Sequence, residues 1–165
     1  MKVMRVYPAK PADVYLYATC LVDLFDPVAG LDAIALLERE GIRVHFVEKQ
    51  TCCGQPAYTS GHEEEARKVA QSQMALFPEP WPVVVLSGSC GGMMHHHYAR
   101  LFPESREVAA FCERVFELTE FLAQVCRVRW YGVGRASIVM HTSCSARREM
   151  QVHSRARALL GQLDG

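Results

Sequence analysis

Residues 83–92 read Val-Val-Val-Leu-Ser-Gly-Ser-Cys-Gly-Gly, a short apolar run followed at once by a glycine-rich stretch that contains Cys90. An apolar run without polar interruption is typical of a strand buried on both faces, as the strands of parallel sheets are. The serines and glycines that follow end the strand. We therefore predict a buried strand over residues 83–86, with Cys90 just beyond its carboxyl end.

The same arrangement occurs twice upstream. Residues 14–19 (VYLYAT) form a β-rich run that ends at Cys20, and residues 42–47 (IRVHFV) lie just before Cys52-Cys53-Gly54. The carboxyl ends of parallel strands meet at one edge of a sheet, and ligands bind there because the loops converge. The sequence therefore predicts one pocket that collects four thiols, those of Cys20, Cys52, Cys53 and Cys90.

Helical patterns separate these strands. Asp26-Pro27 provides a helix N-cap and first position, and the apolar residues Val28, Leu31, Ile34 and Ala35 follow at helical spacing before Gly41 ends the pattern. Ser60 and Glu63 have the spacing of a capping box for a second helix, which ends at Pro78. The resulting β-α-β-α-β order predicts an α/β fold, a parallel sheet with flanking helices in Rossmann-like layers.

The remaining third of the chain predicts a long helix over residues 106–125, a turn at Gly132-Val-Gly134 and a fourth strand over residues 137–141. Thr142-Ser-Cys144 follows that strand as Ala18-Thr-Cys20 follows the first. We therefore predict a first unit with its long helix over residues 1–131, and the start of a second, incomplete copy over residues 132–165.

Composition excludes several classes of function. Eighteen basic and eighteen acidic side chains cancel and are scattered, so no basic surface is expected to attract a nucleic acid. No apolar stretch is long enough for a signal sequence or a bilayer span, which predicts a cytoplasmic protein. A reducing compartment keeps the seven cysteines as thiols that are free to bind metal.

The four thiols permit two kinds of metal site. Thiolates are soft donors that suit both a tetrahedral structural zinc ion and a [4Fe-4S] cluster. Adjacent cysteines on one tetrahedral ion are strained, whereas a cluster spreads its ligand positions. Gly54 and Gly91 are candidates for close approach of the backbone to such a group. Cys112 and Cys126 fall on the apolar stripe of the predicted long helix and are interpreted as core residues.

These cysteine spacings, with gaps of 31 and 36 residues around the vicinal pair, resemble the cysteine-rich CCG domain family. That family includes the cysteine-rich component of heterodisulfide reductase, the iron-sulfur subunit of glycolate oxidase and lactate-utilisation protein A. The similarity is greatest to the lactate-utilisation branch. It rests on four strings: Thr19-Cys-Leu-Val-Asp23, Cys52-Cys-Gly-Gln-Pro-Ala-Tyr58, Ser87-Gly-Ser-Cys90 and His141-Thr-Ser-Cys144.

The resemblance implies an iron-sulfur electron-transfer subunit of a cytoplasmic complex that oxidises L-lactate, or a related 2-hydroxy acid, to the 2-oxo acid. It also implies partners that carry further iron-sulfur clusters. Two features depart from the family. Met93 stands where heterodisulfide reductase has a further cysteine, and only Cys144 of the family's second site is present. We therefore expect one complete site, at Cys20, Cys52, Cys53 and Cys90.

Two other interpretations of the cysteines remain open at this point. One is a zinc-bound structural or docking module, which chelators would unfold. The other is a thiol-disulfide switch at Cys52 or Cys53. A homodimer is also expected to be possible, because residues 137–141 would present an apolar face at the edge of the predicted second copy.

Overall fold

A four-stranded parallel sheet forms the centre of the protein. The computed structural model describes residues 5–132 and 137–163. The strands are β1 (Asp13–Tyr17), β2 (Arg43–Phe46), β3 (Val83–Val85) and β4 (Val115–Glu117), and their order across the sheet is β2-β1-β3-β4. All three pairings are parallel, which confirms the predicted α/β class with Rossmann-like layers.

Helices cover both faces of this sheet. Two segments are π-helical, Met93–His97 and Phe121–Cys126. The α-helices are α1 (Cys20–Phe25), α2 (Pro27–Arg39), α3 (Gln55–Thr59), α4 (Glu63–Met74), α5 (Gly88–Gly92), α6 (Tyr98–Leu101), α7 (Arg106–Glu113), α8 (Leu118–Glu120), α9 (Cys144–Arg148) and α10 (Val152–Leu160). No helix in the described ranges is long and apolar enough to cross a membrane.

Successive side chains of β1 point to opposite faces of the sheet, and the core forms one layer on each face. Tyr15 and Tyr17 face one layer, which also contains Cys53 and Cys90 and is closed by helices that include α4 and α7. Val14 and Leu16 face the other layer, which is closed by helices that include α2 and α10. Both faces of the strand are therefore buried, as its nearly continuous apolar sequence predicts.

The predicted long helix over residues 106–125 is wrong, because the chain leaves the helix at Arg114 and enters β4. The Arg114 guanidinium donates hydrogen bonds to the carbonyl oxygens of Phe77, Glu79 and Trp81, at 2.6 to 2.7 Å. These contacts hold the chain beside β3, and Val84 then pairs with Phe116. The apolar stripe that predicted a helix is thus used partly as a buried strand.

The predicted fourth strand over residues 137–141 is also wrong. These residues form no strand, and they are exposed, with Val139 at 96%. A strand needs a neighbour to satisfy its backbone hydrogen bonds, and no described strand lies beside this segment. Gly134 of the predicted turn lies outside the described residues. The division into units over residues 1–131 and 132–165 stays a prediction.

Two predicted details of the helices differ from the structure. The N-cap residue of α4 is His62, and Ser60 is the C-cap residue of α3. The predicted Ser60–Glu63 capping box therefore does not form. Helix α2 begins at Asp26-Pro27 as predicted, but the residues it buries are Gly30, Ala33 and Leu37. Of the apolar residues that predicted its buried face, Ile34 packs against the core, whereas Val28 and Leu31 are exposed.

Glu117, at the end of β4, gives a pH-dependent prediction. Burial raises the pKa of this carboxyl group, although Thr119 Oγ1 and the Glu120 amide donate to it. A glutamate in the unfolded chain ionises at about pH 4.3, so the folded state loses relative stability as the pH rises above that value. We expect the free energy of unfolding of Glu117→Gln, relative to that of the wild type, to increase as the pH rises from about 4 to about 8, measured by urea unfolding. A constant difference across that range would contradict the prediction.

Candidate functional site

The predicted cysteines lie on three loops at the carboxyl edge of the sheet. Cys20 is the first residue of α1 and follows β1, and Thr19 caps this helix by accepting a hydrogen bond from the Val22 amide at 3.4 Å. Cys52 and Cys53 follow β2, and Cys90 lies in α5 directly after β3. The loops of adjacent parallel strands converge at this edge, so the structure brings these cysteines together as predicted.

Two glutamines fix the loop that carries the vicinal pair. The Gln50 side chain accepts from the Ala18 amide at 2.9 Å and donates to the Leu16 carbonyl at 3.1 Å. The Gln73 side chain accepts from the Thr51 amide and donates to the Thr51 hydroxyl, both at 2.9 Å. Neither glutamine was predicted from the sequence to support the site. The signal for Gln73 was its polar side chain on an otherwise apolar helix face.

Two buried tyrosines hold the same loop from beneath. Tyr17 donates to the Thr51 carbonyl at 2.5 Å, and Tyr98 donates to the Cys53 carbonyl at 2.9 Å. Burial raises the pKa of both phenols, so they remain protonated donors at neutral pH. The backbone beside the cysteines is therefore held by groups that do not titrate there.

The four thiols lie at two depths. Cys20 and Cys52 are half-buried near the surface and neighbour each other, and we call them the outer pair. Cys53 and Cys90 are 1% and 8% exposed and form the buried pair, and Cys53 neighbours Cys52 as well as Cys90. The site thus extends from the surface into the protein.

Hydrogen bonding distinguishes the two buried thiols. The hydrogen bond from Cys53 lowers the pKa of Cys90, and the Ser87 side chain acts in the same direction. The same contact and burial raise the pKa of Cys53. Cys90 is therefore the first of this pair to become a thiolate, the form that binds metal.

The arrangement of donors does not fit a single metal ion. Among residues 5–132 and 137–163, no three His, Cys, Asp or Glu side chains are grouped so that they could hold one ion. A structural zinc ion needs four ligands at about 2.0–2.3 Å from one point. Four soft sulfur donors are a ligand set that suits both a structural zinc ion and an iron-sulfur cluster.

Gly54 and Gly91 have different structural roles. Gly54 has a φ of +83°, and its amide donates to Cys52 Sγ at 3.5 Å. A Cβ at this position would be strained in that backbone conformation and would approach the Val69 side chain at 3.2 Å. A Cβ at Gly91 would make only ordinary contacts, 3.6 Å to Met150 being the shortest. The contact of either glycine with a cofactor stays a prediction.

The other cysteines lie apart from these pairs. Cys144 is exposed at the start of α9, and the thiol contacts described above do not involve it. Cys112 is buried in the core and Cys126 is half-buried. Burial raises the pKa of both to about 11, which leaves them protonated and poorly reactive. Their interpretation as core residues agrees with this placement.

A polar network joins α9 to the cysteine site. His97 contacts the Tyr58 hydroxyl through Nδ1 at 3.2 Å and Glu149 Oε1 through Nε2 at 3.0 Å. Tyr58 lies in α3, which begins directly after Gly54. Glu149 immediately follows α9. This network was not predicted from the sequence, because its members are far apart in the chain.

The segment that carries the four clustered cysteines is similar to a known protein family. Residues 14–95, the segment that contains all four clustered cysteines, match the model of the CCG cysteine-rich domain. The chain belongs to the CCG cysteine-rich domain family. The match ends just after Cys90, so the first three strands and their loops are the part that defines this CCG domain.

Several curated relatives of this CCG protein are named lactate utilization proteins. It is similar to lactate utilization protein A 2 of Bacillus cereus strain Q1, at 35% identity, and to lactate utilization protein A of Bacillus cytotoxicus, at 36% identity. Each alignment covers 92% of this chain and 65% of the relative. The chain thus spans slightly less than two thirds of the length of these relatives. No solved structure matches it significantly.

Proposed function

We propose that this CCG protein is an iron-sulfur electron-transfer subunit of a cytoplasmic complex that oxidises L-lactate or a related 2-hydroxy acid. The observation that carries the proposal is the convergence of four thiols, from three successive loops, at one edge of a parallel sheet. The thiols of Cys20, Cys52, Cys53 and Cys90 would hold the cluster. When bound, it would supply one-electron transfer without proton or bond rearrangement.

The vicinal pair supports a cluster over the zinc alternative in this proposal. Cys52 and Cys53 are adjacent in the chain, one half-buried and the other buried, and adjacent cysteines are strained as ligands of one tetrahedral ion. A cluster spreads its ligand positions over several iron atoms and accepts such a pair more readily.

The surrounding residues have defined tasks in this proposal. The amide of Gly54 donates to the Cys52 sulfur, and hydrogen bonds to ligand sulfurs tune reduction potential. Burial of Cys53 and Cys90 excludes water from the inner half of the site. Tyr17 and Tyr98 fix the backbone of the vicinal pair, so its sulfurs need not reorganise when the charge changes.

The names of the relatives connect this role with lactate. Oxidation of L-lactate to pyruvate releases two electrons and two protons. In this proposal, partner subunits with further iron-sulfur clusters collect the electrons. This chain then transfers the electrons onward. Substrate oxidation itself belongs to a partner in this proposal.

The first experiment is metal and acid-labile sulfide analysis of protein purified without oxygen. We expect iron and sulfide in near-equal amounts, with a brown absorbance that dithionite bleaches. Stoichiometric zinc without sulfide would instead assign the site to a structural module. Protein with neither metal, whose free-thiol count changes with redox conditions, would identify a thiol switch. Either of the last two results would overturn the proposal.

A further inference from the structure

An apolar surface lies immediately beside the candidate site. Five large apolar side chains of α1 and α2 are between 61% and 79% exposed: Leu21, Leu24, Phe25, Val28 and Leu31. We call these residues the α1–α2 surface. Soluble proteins rarely expose large contiguous apolar patches, and those that they do expose commonly mark interaction sites.

The fold does not use these side chains for its own core. Helix α1 contains no buried residue, and its Val22 packs towards Gly30 of α2, where a Cβ on Gly30 would lie 3.6 Å from Val22. Helix α2 contacts the sheet through Ala33 and Leu37. The apolar positions that predicted the buried face of α2, Val28 and Leu31, therefore point away from the protein.

The charged residues of the segment that carries this surface have one sign. Asp23, Asp26 and Asp32 lie among the five apolar residues and are exposed. Residues 11–38 contain no lysine or arginine. None of these three aspartates takes part in an ion pair of the described residues. The α1–α2 surface is thus an apolar patch with an acidic rim in a chain whose total charge is balanced.

The surface is continuous with the outer thiol pair. Cys20 is the first residue of α1 and directly precedes Leu21. Cys20 and its neighbour Cys52 are both half-buried, so this pair is the most accessible part of the candidate site. A protein seated on the α1–α2 surface would therefore lie next to the point where the site reaches the outside.

We propose that the α1–α2 surface docks a redox partner protein whose electron-exchange face is apolar and ringed by lysine and arginine. The proposal deepens the proposed function and rests on it for the redox character of the partner. Complementary charge would orient the encounter, and the apolar centre would hold the complex. The exchange moves one electron between the two proteins, one being oxidised and the other reduced, without making or breaking a bond.

Charge argues against a second copy of this chain as the occupant. A symmetric dimer places the same surface of both copies in contact. Asp23, Asp26 and Asp32 would then face the same three carboxylates of the second copy, with no basic residue of this segment between them. Like charges juxtaposed across an interface are unfavourable, so a basic partner is the better complement.

The test uses a cytochrome c with a lysine ring around its haem edge as the probe. Calorimetric titration at low salt measures its Kd for the full chain. One variant removes the apolar centre (Leu24→Ser with Phe25→Ser), and another reverses two rim charges (Asp23→Lys with Asp32→Lys). We expect each to weaken binding by about tenfold or more, and added salt to weaken the wild-type complex.

Two control variants test whether weaker binding is specific to the α1–α2 surface. They reproduce the loss of an exposed apolar side chain and the change in net charge at other places on the protein. Val6→Ser removes an apolar side chain that is exposed elsewhere, and Glu63→Lys with Glu64→Lys changes the net charge as much as the rim variant does. Both controls are expected to retain wild-type affinity. The proposal would be overturned if the control variants bound the probe as weakly as the surface variants do. It would also be overturned if the wild-type protein did not bind the probe. Self-association, seen by sedimentation, that only the surface variants abolish would overturn it too.

Electron transfer to the probe distinguishes failure of this proposal from failure of the proposed function. Binding that depends on the α1–α2 surface, in a chain that carries no iron, would leave the docking surface intact but refute the redox role. Iron-containing protein that reduces the cytochrome equally fast with and without the surface variants would refute only the docking surface.

Discussion

Replacing both members of the vicinal pair, Cys52→Ser with Cys53→Ser, is expected to remove nearly all bound iron and sulfide. The double variant takes one thiol from the outer pair and one from the buried pair, so each pair keeps a single sulfur donor. Two thiolates do not hold a four-iron cluster, and a serine hydroxyl is a much poorer ligand for iron than a thiolate. The measurement is iron and acid-labile sulfide per folded chain after purification without oxygen.

Cys126→Ser is the matched control for this loss. Cys126 is half-buried, lies outside the cysteine pairs and is protonated at neutral pH because burial raises its pKa to about 11. We expect this variant to keep the iron and sulfide content of the wild type. Iron that survives the double substitution would show that the metal binds elsewhere. An equal loss in the Cys126 variant would show that general instability causes the effect.

Gly88→Ala is expected to lower the free energy of unfolding by about 1–3 kcal/mol, the usual cost of overpacking a well-packed contact. Gly88 begins α5, and a Cβ there would lie 2.5 Å from the Ala146 Cβ and 2.8 Å from its Cα. Ala146 belongs to α9, so the added methyl group would meet backbone of a second helix and not a movable side-chain end. Helix α9 must shift to relieve the contact.

Gly91→Ala provides the control within the same helix. A Cβ at Gly91 would make contacts of 3.6 Å or longer, which are ordinary. Alanine also has a higher helix propensity than glycine, so this variant is expected to be neutral or slightly stabilising. Urea unfolding of the two variants under identical conditions gives the comparison. Equal unfolding free energies would contradict the tight packing of α9 against α5.

The sequence was sufficient to predict the elements whose signals are local. The short apolar runs before Cys20, Cys52 and Cys90 form β1, β2 and β3. The strands β1 and β3 are buried as continuous apolar runs predict, whereas β2 lies at the edge of the sheet and is partly exposed. Asp26-Pro27 began α2 as predicted. The convergence of the cysteines followed from the geometry of parallel sheets.

The errors arose where a distant contact decides the outcome. Residues 108–126 have a helical apolar stripe, but the open side of β3 and the carbonyl groups that bind Arg114 convert part of it into a strand. Residues 137–141 have the composition of a strand but no neighbour among the described strands. Periodicity shows that a segment is amphipathic, and it does not show which neighbour the apolar face will meet.

Support of the site by Gln50 and Gln73 was missed for the same reason. Each side chain bonds to backbone that is 22 to 34 residues away in the chain. The polar side chain of Gln73 stands out on an apolar helix face, but nothing in the local sequence shows which backbone groups it will bind. The α1–α2 surface was likewise hidden, because its residues have the spacing of a buried helix face.

The strand order has a consequence for how this protein is made. Strand β1 lies between β2 and β3, so the edge that gathers the thiols is incomplete until β3 has joined the sheet. Cys20 and the vicinal pair leave the ribosome before Cys90, which follows about forty residues after Cys53. Synthesis at about 5–20 residues per second leaves the three earlier thiols waiting for several seconds. The nascent chain therefore passes through a stage with free thiols and no finished pocket, and a group that needs all four of these thiols can bind only after the sheet has closed.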